Sequence, residues 1–260
     1  MNRLREIISY KELLKTSIRK EIRGKYKGSA LGILWSFINP LLSVLVYAIV
    51  FPYLMGNVID NYLIYLVTGI IPWTFFVTVV QAGTTSIRAN AGIIKKVYFP
   101  REILPLSVAI SGVINFFISC LIVLFFVLIN GIGISWHLIL LPIIAIIQTM
   151  LSLALILPLS AINIYIKDTE YIVTFVLNML FYGTPILYSL AQFTNASKIF
   201  LTLINLNPLT HIMNSYRDIF LYHRTPDMLL LGCVFLASAV LLIIGYLIFV
   251  RLEKGFAEEV

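Results

Sequence analysis

The sequence predicts an all-α membrane protein: six transmembrane helices, an N-terminal amphipathic interfacial helix, and short outer re-entrant helices between spans five and six. Three observations predict it: six charge-free apolar stretches of spanning length, a lopsided distribution of Lys and Arg, and a basic first segment with helical periodicity. Of 260 residues, 60% are hydrophobic and 12% charged, with a mean hydropathy of +0.97. Soluble domains carry charge on about a quarter of their residues, so this composition belongs in lipid.

A hydrocarbon core about 30 Å thick needs roughly 20 apolar residues in a helix. Segments 31–53, 62–82, 104–129, 138–160, 171–190 and 228–250 meet that length without Asp, Glu, Lys or Arg. Nine Lys and Arg precede the first span, four lie between spans two and three, Lys167 lies between four and five, and Arg251 and Lys254 follow the last. Only Lys198, Arg217 and Arg224 fall in the alternate loops. Because cytoplasmic loops retain Lys and Arg, this pattern predicts that both termini are cytoplasmic, and it explains a net charge of +7 without nucleic acid. The charged and polar start has no short apolar core followed by a small-residue cleavage site, so the first span is expected to direct insertion. Cys120 and Cys233 both fall in predicted spans, and no disulfide framework is expected.

Residues 1–30 are helical in pattern but too polar to span. Ile7, Tyr10, Leu14, Ile18 and Ile22 share one arc at 100° per residue, with Arg19, Lys20, Arg23 and Lys27 opposite. Such a helix can sink its stripe into a headgroup boundary and keep its charges wet. An ordinary solvated helix packed on a partner is the alternative. The outer loop 191–227 holds two apolar helical pieces, 199–206 and 209–221, broken at Asn207-Pro208, and each is too short to cross. They predict re-entrant or surface helices. In the loop 83–103, residues 86–98 can form a short helix that Pro100 ends.

Much familiar chemistry is missing from the sequence. There is no GxxxxGK[ST] phosphate loop, HExxH, CxxC or GxSxG. His137, His211 and His223 are scattered, so no metal site is expected. Asn195-Ala196-Ser197 matches a glycosylation acceptor, a pattern short enough to arise by chance. No span contains a charge, which disfavours proton relays and charged selectivity rings and places the energy source on another subunit. Asn39, Asn115, Gln148 and Asn178 either join helices or line a path. Tyr47, Phe51, Trp73, Phe75, Phe76, Phe175, Phe181, Tyr182 and Tyr188 are either an interfacial aromatic belt or a lining on which sugar faces slide.

The stretch IRGKYKGSALGILWSFINPLL (22–42) resembles the N-terminal signature of the permease subunits of ABC polysaccharide exporters, the Wzm and TagG/TarG type that export O-antigen and teichoic acid. The resemblance continues through TGIIPWTFF (68–76), KKVYFPREILPL (95–106), NIYIKDTEYI (163–172), FYGTPILY (181–188), NPL (207–209) and RLEKGFAE (251–258), covering nearly the whole chain. It implies a transport subunit of the bacterial cytoplasmic membrane, without its own ATPase site or cofactor. The implied assembly is a homodimer with two cytoplasmic ABC ATPase subunits, which bind ATP and Mg, and the implied cargo is a lipid-linked polysaccharide. A permease for a drug or lipid is the alternative.

The resemblance also assigns residues. Lys95, Lys96, Arg101 and Glu102 would supply charged ATPase contacts, Tyr98 and Phe99 buried anchors, and Lys167 and Asp168 a second contact. Many relatives carry Arg-Asp at this last site, so a bidentate arginine contact is not implied here. Arg19, Arg23, Lys25, Tyr26 and Lys27 would form a cytoplasmic gate at a lipid pyrophosphate. Tyr47, Phe51, Phe181, Tyr182 and Tyr188 would line the channel.

Overall fold

A computed structural model describes residues 2–24, 35–55, 59–192 and 197–259, and among the described residues every regular element is helical. The first half comprises α1 (Asn2–Ser9), α2 (Lys11–Gly24), α3 (Trp35–Met55), α4 (Tyr62–Ala89), α5 (Ala91–Ile94) and α6 (Ile103–Ile129). The second comprises α7 (Leu141–Tyr165), α8 (Thr169–Tyr182), α9 (Lys198–Leu206), α10 (Pro208–Phe220), α11 (Met228–Leu252) and α12 (Phe256–Glu259). Four helical stretches are long and apolar enough to cross a membrane: Tyr62–Ala89, Ile103–Ile129, Trp136–Tyr165 and Met228–Gly255. Two shorter apolar stretches accompany them, Ile38–Tyr53 in α3 and Thr169–Tyr182 in α8.

Helix α4 is the hub. Its apolar window is 78% buried, against 22% for α11, and it touches α3, α6, α7, α8 and α10. Large rings fill the space around it: Phe75 stacks on Phe116 at 4.9 Å, and Phe116 meets Tyr216 edge-on at 5.4 Å. Lipid tails are as apolar as these side chains, so burial alone does not favour helix association; packing and internal hydrogen bonds must hold the bundle. Gln148 shows the second device. It is fully buried, donates to the Pro72 carbonyl at 2.8 Å and accepts from the Tyr216 hydroxyl at 2.8 Å, joining α7, α4 and α10. Asn163 likewise donates to the Thr84 carbonyl at 3.3 Å. Gln148 therefore joins helices, whereas Asn178 is exposed on α8.

Two expectations are corrected, and the start of a third lies outside the described residues. The fifth apolar stretch was expected to be helical over 171–190, but α8 ends at Tyr182. Pro185 cannot donate to a helix and disfavours helical backbone at Thr184. Fourteen residues rise only about 21 Å, short of a bilayer core. The 86–98 helix is instead divided: α4 runs on to Ala89, α5 is a single turn, and residues 97–100 are non-helical. The first span was expected from residue 31, and α3 is described from Trp35, with 25–34 outside the described residues.

Chain termini of helices follow their sequence signals. Asp227 caps α11 by accepting from the Leu229 and Leu230 amides, each at 3.0 Å. Asn207 caps α10 by accepting from the Leu209 amide at 3.0 Å, with Pro208 in the first helical position where its missing N–H costs nothing.

Helices α7 and α11 approach closely at Gly245, where an added Cβ would stand 2.5 Å from the Ala154 carbonyl oxygen. Replacing Gly245 with Val should push these helices apart and destabilise the fold by about 1–3 kcal/mol. Thermal unfolding in detergent checks this, with Gly232→Val, which has open space around it, as the comparison.

Candidate functional site

Three groups of functional side chains emerge, one at each end of the bundle and one along its side. The first lies at the end carrying both termini. There α2 packs on α6, and Tyr10 and Leu13 lean on a core of Ile87, Ile94, Phe99, Leu104, Phe249 and Phe256. None of the stripe residues of α2 is fully buried, so the helix is half covered by protein. Lys20 donates to the Asn90 side-chain oxygen at 2.7 Å, and Asn90 donates to the Ser86 carbonyl at 2.8 Å, tying α2 to the end of α4. The Tyr98 hydroxyl donates to Glu6 at 3.2 Å, which holds this phenol above its ordinary pKa because ionisation would place two anions together. Arg19 and Arg23 are exposed on α2, whereas Lys25, Tyr26 and Lys27 lie outside the described residues.

Residues 95–102 divide into two sets. Lys95, Lys96 and Tyr98 are exposed, together with Ile93 and Val97. Phe99, only 3% exposed, is turned inward and buried among the core residues named above, and Glu102 is buried too. In this chain Phe99 is thus an anchor of the loop to its own bundle. Arg101 pairs with Glu253 at 3.3 Å, both largely covered, and its guanidinium lies 6.0 Å from the Phe256 ring centre. Lys167 and Asp168 are exposed nearby in sequence to Glu170, which lies 3.6 Å from Arg88. The structure therefore brings α1, the 95–102 loop and the C-terminal tail into one unit.

The second group is a row of rings. Tyr47 of α3 meets Phe51 at 5.7 Å and Phe181 of α8 at 6.0 Å. Phe181 continues to Tyr182 at 5.3 Å and to Trp73 of α4 at 5.7 Å. Tyr188 joins by donating to the Tyr182 carbonyl at 2.8 Å. Tyr182 itself is 70% exposed, and Tyr171, Phe175 and Met179 extend an uncovered face down α8.

The third group clamps the opposite end. Arg217 of α10 is 1% exposed, donates to the Ile186 carbonyl at 3.0 Å and to the Asn214 side-chain oxygen at 3.2 Å, and lies 3.6 Å over the Tyr65 ring. Tyr62 and Tyr65 donate to the Leu187 and Tyr188 carbonyls at 2.8 and 2.7 Å. Asn207 donates to the Gly183 carbonyl and the Thr184 hydroxyl at 3.2 and 3.0 Å. These side chains satisfy the backbone that leaves helical geometry after α8, which explains how such a segment survives at the edge of lipid.

Apolar spans, a polar unit at one end, a ring-lined side face and a clamped far end make the membrane-embedded subunit of a transporter. The chain belongs to the ABC-2 type transporter family, whose match covers residues 12–221. An O-antigen export system permease protein, RfbA, from Myxococcus xanthus is 36% identical over 257 residues, spanning 99% of this chain and 98% of that protein. Two RfbA proteins of the same description from Klebsiella pneumoniae are each 32% identical over 249 residues, covering 95% of this chain and 94% of theirs.

Reading the sequence alone missed Glu6, Asn90, Glu253 and Phe256 as parts of the polar unit, and Arg217 as a clamp. Glu253 and Phe256 sit inside the RLEKGFAE motif, so a signal existed; Glu6 and Asn90 had none. Arg217→Met should lose about 2–4 kcal/mol of stability, since a buried carbonyl and a stacked ring lose their cation. Arg217→Lys should recover little of that loss, because an ammonium cannot reach Ile186 and Asn214 while stacking on Tyr65; guanidinium-free thermal melts compare the two. A double-mutant cycle on Arg101→Ala and Glu253→Ala should give a coupling of about 1–2 kcal/mol, above that of an exposed ion pair.

Proposed function

We propose that this chain is the permease subunit of a bacterial ATP-driven exporter that moves a lipid-linked polysaccharide, such as O-antigen, teichoic acid or a capsule-like polymer, across the cytoplasmic membrane. The observation that carries the reading is the aromatic row on α3 and α8, half-buried at Tyr47, Phe51 and Phe181 and exposed at Tyr182. Ring faces bind sugar faces weakly and without strict geometry, which suits a cargo that must slide. The end-to-end similarity to O-antigen export permeases supports the same cargo class.

Two copies would place these rows face to face, enclosing the path in a homodimer. Both termini would be cytoplasmic, with the polar unit facing two ABC ATPase subunits that hold the ATP and Mg. The exposed Lys95, Lys96 and Tyr98, with Ile93 and Val97, would meet each ATPase, and Lys167 and Asp168 would add a second contact. Closure of the ATPases would push the 95–102 loop. Because Phe99 is buried among α4, α6, α7 and α11 residues, that push reaches the bundle directly. The bond from Tyr98 to Glu6 and that from Lys20 to Asn90 carry it to α1 and α2, so the gate charges Arg19 and Arg23, with Lys25 and Lys27, would move with the loop. α9 and α10 would form a re-entrant cap over the exit.

Copurification tests the reading: the tagged permease should bring down an ABC ATPase whose hydrolysis rises on adding a lipid-linked glycan. Stimulation by a drug or simple lipid, with none by the glycan, would replace the cargo. Lys95→Glu with Lys96→Glu should reduce export and ATPase recovery about tenfold or more while the permease still inserts. Tyr47→Ala with Phe181→Ala should impair export while ATPase binding is retained; loss of ATPase binding instead would make the rings structural.

A further inference from the structure

Away from the aromatic row, α3, α4 and α6 line a half-open cavity of about 260 Å³. Five polar side chains converge on it: Asn39, Thr74, Thr78, Asn115 and Ser119. None carries a formal charge. The rings of Trp35, Phe75 and Phe116 form other parts of its wall, and Trp35 and Asn39, both exposed, mark its mouth.

What distinguishes this group is the state of its donors. Many span hydroxyls elsewhere satisfy themselves on their own helix, Ser238 of α11 being an exception: Thr84 donates to the Val80 carbonyl at 2.8 Å, Ser107 to Leu104 at 2.8 Å, Ser111 to Val108 at 2.9 Å and Ser152 to Gln148 at 2.9 Å. Gln148 and Asn163, the other buried amides of the spans, bond across helices. Thr74, Thr78, Asn115 and Ser119 donate to nothing among the described residues, and the Asn115 amide nitrogen is fully buried without a partner. Donors left unmade in an apolar interior each cost about 1–3 kcal/mol, and lipid tails have no acceptors to offer. Asn115 is one such donor, and the partly exposed Thr74, Thr78 and Ser119 hydroxyls beside it offer further donors to an occupant with several acceptors.

We infer that this cavity is a binding site for a neutral, hydroxyl-rich group, namely a single sugar ring of the exported glycan or of its lipid-linked end. Amides and hydroxyls match sugar hydroxyls, the rings match a sugar face, and the lack of charge excludes a bare phosphate as the preferred ligand. The demand for an occupant stands on the geometry; its assignment to the exported glycan rests on the export reading above.

The test uses the full-length permease alone in phosphatidylcholine nanodiscs. Photolabelling with a diazirine-tagged octyl glucoside should mark peptides containing Trp35, Thr74, Thr78 and Asn115 about tenfold more than a diazirine-tagged octanol of the same chain. Asn115→Leu, and separately Thr74→Val with Thr78→Val, should abolish that preference, and Asn115→Leu should at the same time raise the Tm, because it replaces a buried unsatisfied amide with an apolar side chain of the same branching. Equal labelling by the two probes, equal labelling by a diazirine-tagged phosphatidylglycerol, or an unchanged preference in the variants would overturn the site, leaving it a water-filled or general lipid groove. A lowered Tm for Asn115→Leu would also overturn it, in favour of a helix-joining amide. No ATPase or export enters these measurements, so a permease that recovers no ATPase yet keeps the glucoside preference would fail the export reading alone.

Discussion

A polar group inside a bilayer has no water to turn to, and this single constraint orders most of what the structure contains. Gln148 sits between the Tyr216 hydroxyl and the Pro72 carbonyl, and so three helices are joined at one buried amide. Many span hydroxyls fold back on the preceding turn of their own helix. Where the chain abandons helical geometry after Tyr182, Arg217, Tyr62, Tyr65 and Asn207 supply donors to the freed carbonyls one by one. That clamp satisfies the backbone that follows the short α8.

The constraint also explains why the charged side chains gather where they do. Outside the spans, charges are placed in pairs and bonds that connect pieces remote in sequence: Arg101 with Glu253, Tyr98 with Glu6, Lys20 with Asn90. These contacts are individually modest in a wet environment. Their value lies in geometry, because together with the buried Phe99 they join the first helices, the 95–102 loop and the tail into one packed unit. The buried Phe99 ties the exposed Lys95 and Lys96 segment to α6 and α11.

Side faces tell a complementary story. α4 is buried on nearly every side, whereas α8 leaves Tyr171, Phe175, Met179 and Tyr182 uncovered. Rings on a helix too short for the bilayer are better suited to a shared interior than to lipid tails, which is the physical basis of the proposed homodimer. The cavity near Asn115 and the ring row near Phe181 both present uncharged surfaces, and the same α3 contributes to each.

Apolar runs without charge marked where each long helix would be, because period and length suffice when the surroundings are lipid on one side and protein on the other. The breaks at Asn207-Pro208 and after Tyr182 illustrate the difference between what was legible and what was not. Asn207-Pro208 carries a cap and a proline in fixed order, and α9 and α10 meet there. The unwinding of 183–190 lay in a run as apolar as any span, since its stability comes from Arg217, Tyr62 and Tyr65, which are far away in sequence. The same holds for the polar amides: Gln148 and Asn115 look alike in a sequence, and only their neighbours make one a joint and the other a wall of a cavity. Composition, period and charge distribution by themselves determined the class, the helical segments and the unequal ends. Tertiary structure alone decided that Phe99 faces inward, that Arg101 belongs to Glu253, and which polar groups are left open, because in a medium without water a side chain's role is set by the partner it finds across the fold.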